Sequence, residues 1–462
     1  MINKKFIYCF FVGFFFVFAC SAIILIDGFN HWHDQQRVAQ VALCAACALI
    51  SLCIPSPPLP RLASVLLFFV FLLGAISVIF ALYSIWALYE WATFLGLFFI
   101  VAVVRHVSGV QAKYSEYILA VLVVVSVVNS LQFLAVYFAA IFTGLNNFDA
   151  YLLYSGFSNP RFLNQFQALA LPFLAYFILR LIRCRPFPYA NLLATVVFLG
   201  FLIQWIIAFT LGGRGLWLAL IVSNFTIIIF FPRYWRLIIV QLVVGLVASL
   251  FYYLMFTLVP EYLEVEPKLW DSLRSGLSAR ETIWKLAWDI FVEHPWLGVG
   301  PMHFAAYVNP VAAHPHQVIL QWLAEWGVLA TSFAVIVAGW GMISALKYIR
   351  KPQSELLDVV LWVGLLNALV LAQVDGVFVM PYTQTWLAIM IGVAWARMSS
   401  FTNVISVEGT IGFKVMAILA LVICLKIVFV AMPKYLQMNS YSVDQKSDFA
   451  PRFWSEGFIP HD

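Results

Sequence analysis

Residues 260–316 read PEYLEVEPKLWDSLRSGLSARETIWKLAWDIFVEHPWLGVGPMHFAAYVNPVAAHPH. This polar stretch lies between two runs that are almost wholly apolar. RLIIVQLVVGLVASLFYYLMFTLV (236–259) precedes it, and VILQWLAEWG (318–327) follows it almost at once. The stretch holds His294, His303, His314 and His316, half of the eight histidines of the chain, together with Arg274, Arg280 and a run of acids. Chemistry on polar groups needs water, so a long polar loop in a greasy chain is the first place to look for a site.

The apolar character extends over the whole chain. Its 462 residues are 64% hydrophobic and only 10% charged, with a mean hydropathy of +0.96. Runs of roughly 20 apolar residues recur, the length that crosses about 30 Å of hydrocarbon. Each must be helical, because lipid offers no partner to a free backbone amide. The fold class is therefore all-α, a polytopic integral membrane protein. The first run, Phe6–Ile26 after Lys4-Lys5, has the look of a signal sequence, and Val17-Phe-Ala-Cys20 that of a lipoprotein cleavage box. The run stays apolar past Cys20, so it reads as an uncleaved first span.

Further spans are expected at 38–54, 62–82, 84–104, 117–142, 162–183, 190–211, 214–231, 236–259, 317–349, 356–379, 383–398 and 412–432. That makes about 12–13 transmembrane helices with one long loop. The expected organisation is a membrane domain over 1–432, with a catalytic loop at 260–316, and a short C-terminal tail, 433–462, too small for a domain.

The cysteines, Cys9, Cys20, Cys44, Cys47, Cys53, Cys184 and Cys424, fall in apolar runs or beside a basic loop, which argues against a disulfide framework. Cys44-x-x-Cys47 reads as two small apolar side chains one helical turn apart. The net charge of +5 is spread between spans without a basic patch interleaved with aromatics, so no nucleic-acid partner is expected.

Orientation follows from lysine and arginine. With the amino terminus inside, the inner loops carry Lys4, Lys5, Arg61, Arg105, Lys113, Arg180, Arg183, Arg185, Arg233, Arg236, Lys347, Arg350, Lys351, Arg397 and Lys414. The outer loops carry Arg37, Arg161, Arg214, Lys268, Arg274, Arg280 and Lys285. The outer set runs against the positive-inside rule and needs another reason to exist.

Several outer residues suit anion chemistry. Ser278-Ala-Arg-Glu281 reads as a capping box, placing Arg280 in a first helical turn whose free amides favour an anion. Arg280, Trp284, Ala287, Trp288 and Phe291 would share one face of that helix, as on a helix lying along the membrane interface. Arg214, after Gly212-Gly213, would lie near membrane depth, where a cation is costly without an anionic partner. Lipid headgroups could also satisfy both arginines.

Pro315 fits a first helical position, which puts His316 in the first turn at the water boundary, where an imidazole can take a proton. Gln317, Gln321 and Glu325 would form a polar stripe down that helix, with His314 just outside it. A carboxylate at the depth of Glu325 must be paired or protonated. Tyr154–Gln165 is a second polar island, where Asn159, Arg161, Asn164 and Gln165 could meet sugar hydroxyls or phosphate, or simply cap a helix before Pro160. Asp375 lies at an outer helix end with no evident role. The pairs His31/His33 and His314/His316 lack further ligands at metal-binding spacing.

These residues carry a resemblance to the O-antigen ligase superfamily. That family has an arginine after a small-residue turn between two spans, here Gly212-Gly-Arg214-Gly215. Its long periplasmic loop has Arg-x-x-x-Trp and then Pro-x-x-Gly-x-Gly, here Arg280–Trp284 and Pro295-Trp-Leu-Gly-Val-Gly300. His-Gln with a glycine after nine more residues matches His316-Gln317 and Gly327. Where the pattern continues with Gly, Thr or Pro, this chain has Ser332, beside Thr331. Phe157–Gln167 and the chain length look like the pilin O-oligosaccharyltransferase branch.

The resemblance implies transfer of a preassembled glycan from undecaprenyl pyrophosphate to a hydroxyl on the periplasmic face of a bacterial inner membrane. Ser/Thr of type IV pilin is the expected acceptor, with lipid A core or a growing polysaccharide as alternatives. Arg214 and Arg280 would hold the pyrophosphate, His316 would orient or deprotonate the acceptor, and Arg161 would assist. No metal or other cofactor is expected, since the arginines supply the positive charge. A lipid-linked sugar transporter is the rival from another class, with Glu90, Glu325 and Lys426 as its candidate polar path.

Overall fold

The computed structural model describes residues 4–143, 148–183, 189–265, 267–268, 279–398, 407–439 and 451–459. Cys184, Arg185, Arg274 and Ser278 lie outside them. The long helices are α1 (Lys4–Cys20), α2 (Trp32–Ser51), α3 (Arg61–Phe80), α4 (Ser84–Val110), α5 (Ala112–Phe142), α6 (Pro160–Arg183), α7 (Ala190–Leu211), α8 (Arg214–Phe230) and α9 (Trp235–Tyr253). They continue as α10 (Arg280–Glu293), α11 (Val318–Ile349), α12 (Leu356–Leu371), α13 (Pro381–Met398) and α14 (Val407–Lys426). Eight helical segments are long and apolar enough to cross a membrane, and three shorter apolar helices accompany them. The protein is an all-α, multi-pass membrane protein. Among the described residues the only strand pairing is Phe148–Asp149 against Pro267–Lys268.

Every expected span has its helix, and α1 packs as one of the bundle, with Phe15 and Phe18 against Trp386 of α13. Cys44 and Cys47 are buried free thiols. Gly96 lets α4 approach Cys44 closely, since a Cβ there would be 2.5 Å from the Cys44 Cβ. Polar groups inside the bundle bond one another, as lipid would not satisfy them. Gln167 Nε2 donates to Gln204 Oε1 at 2.9 Å, and Gln204 Nε2 to the Ser126 carbonyl at 2.8 Å.

Three departures from the expected pattern shape the site. First, α2 begins at Trp32, so His33, Asp34, Gln36 and Arg37 are not an outer loop but buried helix. Second, the expected 356–379 span ends at Leu371, leaving 372–380 as a connecting segment that carries Asp375. Third, α11 is broken at Gly327, with φ 75° and ψ 172°.

The loop 295–300 fills that break. Val328 N donates to the Pro295 carbonyl at 2.8 Å, Val299 N to Ala324 O at 2.9 Å, and Gly300 N to Glu325 O at 3.1 Å. Backbone groups freed by the interrupted helix thus find partners in the loop. Only glycine fits the contact from either side. A Cβ on Gly327 would be 2.2 Å from Trp296 O, and one on Gly298 2.4 Å from the Glu325 carbonyl carbon.

Basic residues collect at the two ends of α6. Arg161 is at its start, while Arg180 and Arg183 close it. Its 24 residues put these ends about 36 Å apart at 1.5 Å per residue. Arg180, Arg183, Arg233 and Arg236 line one pocket at the far end, beside Glu116 and Glu355.

Candidate active site

Helix α10 lies on α11 and pins the histidine turn. Its buried face is Ile283, Ala287 and Ile290, packed with Phe304 and Ala324. Trp288 of the expected aromatic stripe lies outside that buried face and is half exposed. Trp284 instead points its Nε1 at the Pro315 carbonyl, 3.0 Å away. The spacing Arg280-x-x-x-Trp284 therefore links one arginine at the helix start to the His314-Pro-His316 turn. The helix begins at Arg280, with Ala279 in a left-handed conformation at the N-cap and no side-chain cap of its own.

The expectation for Pro315 also needs correction. The helix begins at Val318, and Gln317 is its N-cap, with its side-chain oxygen accepting from Leu320 N. His316 precedes the helix with φ 55°, a backbone strained for a residue with a Cβ. The strain turns its ring back toward Asp375, with His316 Nδ1 3.6 Å from Asp375 Oδ1. Both side chains are about one-tenth exposed. The separation exceeds a formed hydrogen bond, and such contacts tighten when substrate arrives.

Asp375 is itself fixed. Its Oδ1 accepts from Gln165 Nε2 at 3.0 Å and from Gly376 N at 2.7 Å. Burial raises the Asp375 carboxyl, but His316, Arg161 and the Gly376 amide together hold it below the ordinary carboxylate value. Burial pushes His316 below its ordinary value, opposed by Asp375 and reinforced by Arg161 and Arg280. The imidazole is thus neutral at pH 7 beside an ionised carboxylate. With Nδ1 toward Asp375, Nε2 is the nitrogen left to take a proton.

Arg161 and Arg280 lie near this pair, and Arg214 lies near Arg280. Arg280 loses basicity by burial, with Asp375 opposing and the positive charges of Arg161 and Arg214 adding to the effect. Arg280 is therefore near enough to feel the Asp375 charge and both other cations. Arg161 is held at the second position of α6, where Asn159 Oδ1 accepts its backbone N–H at 2.9 Å. Arg214 opens α8 and is exposed. The preceding turn uses Gly212 at φ 57° and a Gly213 whose Cβ would be 2.1 Å from Asn164 Oδ1. A cluster of like charges is unfavourable by itself and becomes favourable around an anion.

The other sequence candidates separate by role. Asn164 packs on the Gly212-Gly213 turn and donates to Gln167 at 2.9 Å. Gln165 holds Asp375. Gln317 Nε2 donates to Gln373 Oε1 at 3.1 Å. His314 is buried against His316, ring centroids 4.2 Å apart, and neither of its ring nitrogens has a hydrogen-bond partner among the described residues. Glu325 is fully buried and its carboxylate is taken by Arg452, at 2.7 and 2.8 Å.

His303 serves the loop itself, accepting from Tyr83 N at 2.9 Å through Nε2. His33 Nε2 lies 3.2 Å from the Arg452 and Phe453 carbonyls, which occupies one member of the His31/His33 pair. Asp375 and Arg452 are the contributors that sequence reasoning did not place.

The structure thus combines a multi-pass helical bundle, a loop docked into a broken helix, and a histidine–aspartate pair with Arg161 and Arg280 near it. Residues 195–335 match the family model described as O-antigen ligase, which supports the resemblance over that segment of the chain. The match takes in Arg214, Arg280, His316 and Gly327, and it implies a glycosyltransferase-type activity on a lipid-linked glycan. No curated protein matches the chain.

Proposed function

We propose that the protein transfers a preassembled glycan from undecaprenyl pyrophosphate to a serine or threonine hydroxyl of type IV pilin, on the periplasmic face of the bacterial inner membrane. The observation that carries this reading is the His316–Asp375 pair with Arg161 and Arg280 beside it and Arg214 near Arg280. Arg280 and Arg214 bind the pyrophosphate and stabilise its growing charge. His316 Nε2 takes the proton of the acceptor hydroxyl, whose oxygen attacks the anomeric carbon. The bond from that carbon to the pyrophosphate oxygen breaks, and undecaprenyl pyrophosphate leaves with the electron pair. Asp375 stabilises the imidazolium formed in the step.

The choice of pilin rests on the Phe157–Gln167 stretch, whose residues Asn159, Asn164 and Gln165 all support this site. The domain division into a membrane unit over 1–432 with its catalytic loop belongs to the same proposal. The transporter reading loses its polar path, because Glu90 and Glu325 are bound to Arg452 and Lys426 faces outward. The test is His316→Ala in the full chain. Transfer falls by about 10²-fold or more while insertion and accumulation persist. Transfer at the parent rate would remove His316 from the chemistry.

A further inference from the structure

The C-terminal residues 451–459 do not trail from the bundle. Arg452 and Phe453 have no exposed surface, and Trp454 and Ile459 have almost none. Two elements receive them. On α2, Asp34 Oδ1 accepts from Ser455 N at 2.8 Å, and Arg37 donates to the Arg452 and Phe453 carbonyls at 3.0 Å. Beyond α14, Tyr435 stacks on Trp454 with ring centroids 4.8 Å apart.

This segment lies between the two parts of the chain that carry His316 and Asp375. On one side, Arg452 Nη2 grips both oxygens of Glu325, whose Oε1 also accepts from Phe304 N at 3.2 Å. Ile459 N donates to the Ala305 carbonyl at 3.0 Å, so residues 303–306 are held from two directions. Eight residues further on is His314. On the other side, the Arg37 Nη2 that holds the Arg452 carbonyl also donates to Val379 O at 2.7 Å. Val379 N in turn bonds Gly376 O at 2.9 Å, next to Asp375. Glu90 Oε1, 3.3 Å from Arg452 Nη2, completes the buried ionic group.

We infer that Arg452 is a positioning residue for the transfer reaction: it ties the C-terminal segment into the bundle as a wedge that sets the register of His316 against Asp375. The inference rests on the function proposed above. It needs no movement of the segment during the reaction and no contact between Arg452 and substrate. Misplacement of reacting groups by about 1 Å can cost on the order of 10²-fold in rate, and the wedge spans both backbones that fix this pair.

The test uses the full chain in three forms: parent, Arg452→Lys, and the double variant Arg452→Met/Glu325→Gln. The double variant removes Arg452 and the carboxylate it grips with two bonds together, while Glu90, the third charge of the group, keeps Arg37 as a nearby cation. The double variant is expected to accumulate normally and bind lipid-linked donor with an unchanged KM. Its turnover should fall by about tenfold or more, with faster hydrogen exchange at 299–306 and 376–379. Arg452→Lys keeps the positive charge but gives up the guanidinium geometry, and its turnover should lie between those of the parent and the double variant.

Parent-like turnover and exchange in the double variant would overturn the inference. So would a raised KM with unchanged kcat, which would make this a substrate contact, or loss of accumulation, which would make it a folding contact alone. Absence of transfer by the parent would defeat the functional reading instead, and the exchange comparison would still decide whether Arg452 holds the two segments.

Discussion

Asp375→Asn isolates the charge beside His316 while keeping shape. Asparagine retains an oxygen for the Gln165 and Gly376 donors, so the connecting segment should keep its path. What is lost is a negative charge 3.6 Å from His316 Nδ1. At an effective dielectric of about 20, two unit charges at that distance interact by about 4.6 kcal/mol. The asparagine dipole and substrate-borne water recover part of this, which leaves about 2–4 kcal/mol of transition-state stabilisation. That corresponds to a fall in turnover of roughly 30- to 1000-fold. The assay is release of glycosylated acceptor from purified chain with lipid-linked oligosaccharide, with kcat and KM separated. A variant within about threefold of the parent kcat would refute the pairing of His316 with Asp375 as a catalytic unit.

Other outcomes follow from the same geometry. Burial holds His316 below its ordinary 6.5, so the acid limb of the kcat/KM profile should lie below pH 6.5, where protonation removes the base. Since Asp375 raises His316, Asp375→Asn should move that limb further down; an upward shift would contradict the assignment. Trp284→Phe removes the bond to the Pro315 carbonyl, worth about 1 kcal/mol, and should slow transfer by loosening the histidine turn without changing accumulation. Gly327→Ala places a Cβ 2.2 Å from Trp296 O at φ 75°. That backbone conformation, with ψ 172°, is essentially confined to glycine and alone costs about 1–3 kcal/mol, and a lowered thermal midpoint in detergent is expected. Gly339→Ala in the same helix meets nothing within 4 Å and should leave that midpoint unchanged.

Much of the bundle was legible because apolar length alone marks a span, and loops such as Gly212–Gly215 break the runs cleanly. Arg214, Arg280 and His316 stood out through the motifs that carry the resemblance, although the reason for the motif spacing was not legible. Trp284 proves to hold the histidine turn, and Gly298 and Gly327 prove to be two sides of one backbone contact. His33–Arg37 read as a loop because polar residues usually mark water, yet here they line a buried helix and receive the C-terminal segment. The spacing of His33, Gln36, Arg37 and Gln40 on one helical face was the available sign. The Arg452–Glu325 pair joins residues 127 apart, and Arg452–Glu90 joins residues 362 apart. Local patterning cannot show such pairs, and only the presence of two acids within spans, without a basic partner there, hinted that a cation must arrive from elsewhere.

The most direct measurement follows the donor. Purified chain is reconstituted in vesicles with undecaprenyl-pyrophosphate-linked oligosaccharide carrying separate labels on glycan and phosphate, and type IV pilin is supplied as acceptor. The account predicts free undecaprenyl pyrophosphate and glycosylated pilin in equal amounts, both lost with His316→Ala. Intact donor relocated across the bilayer with no pyrophosphate released would contradict it.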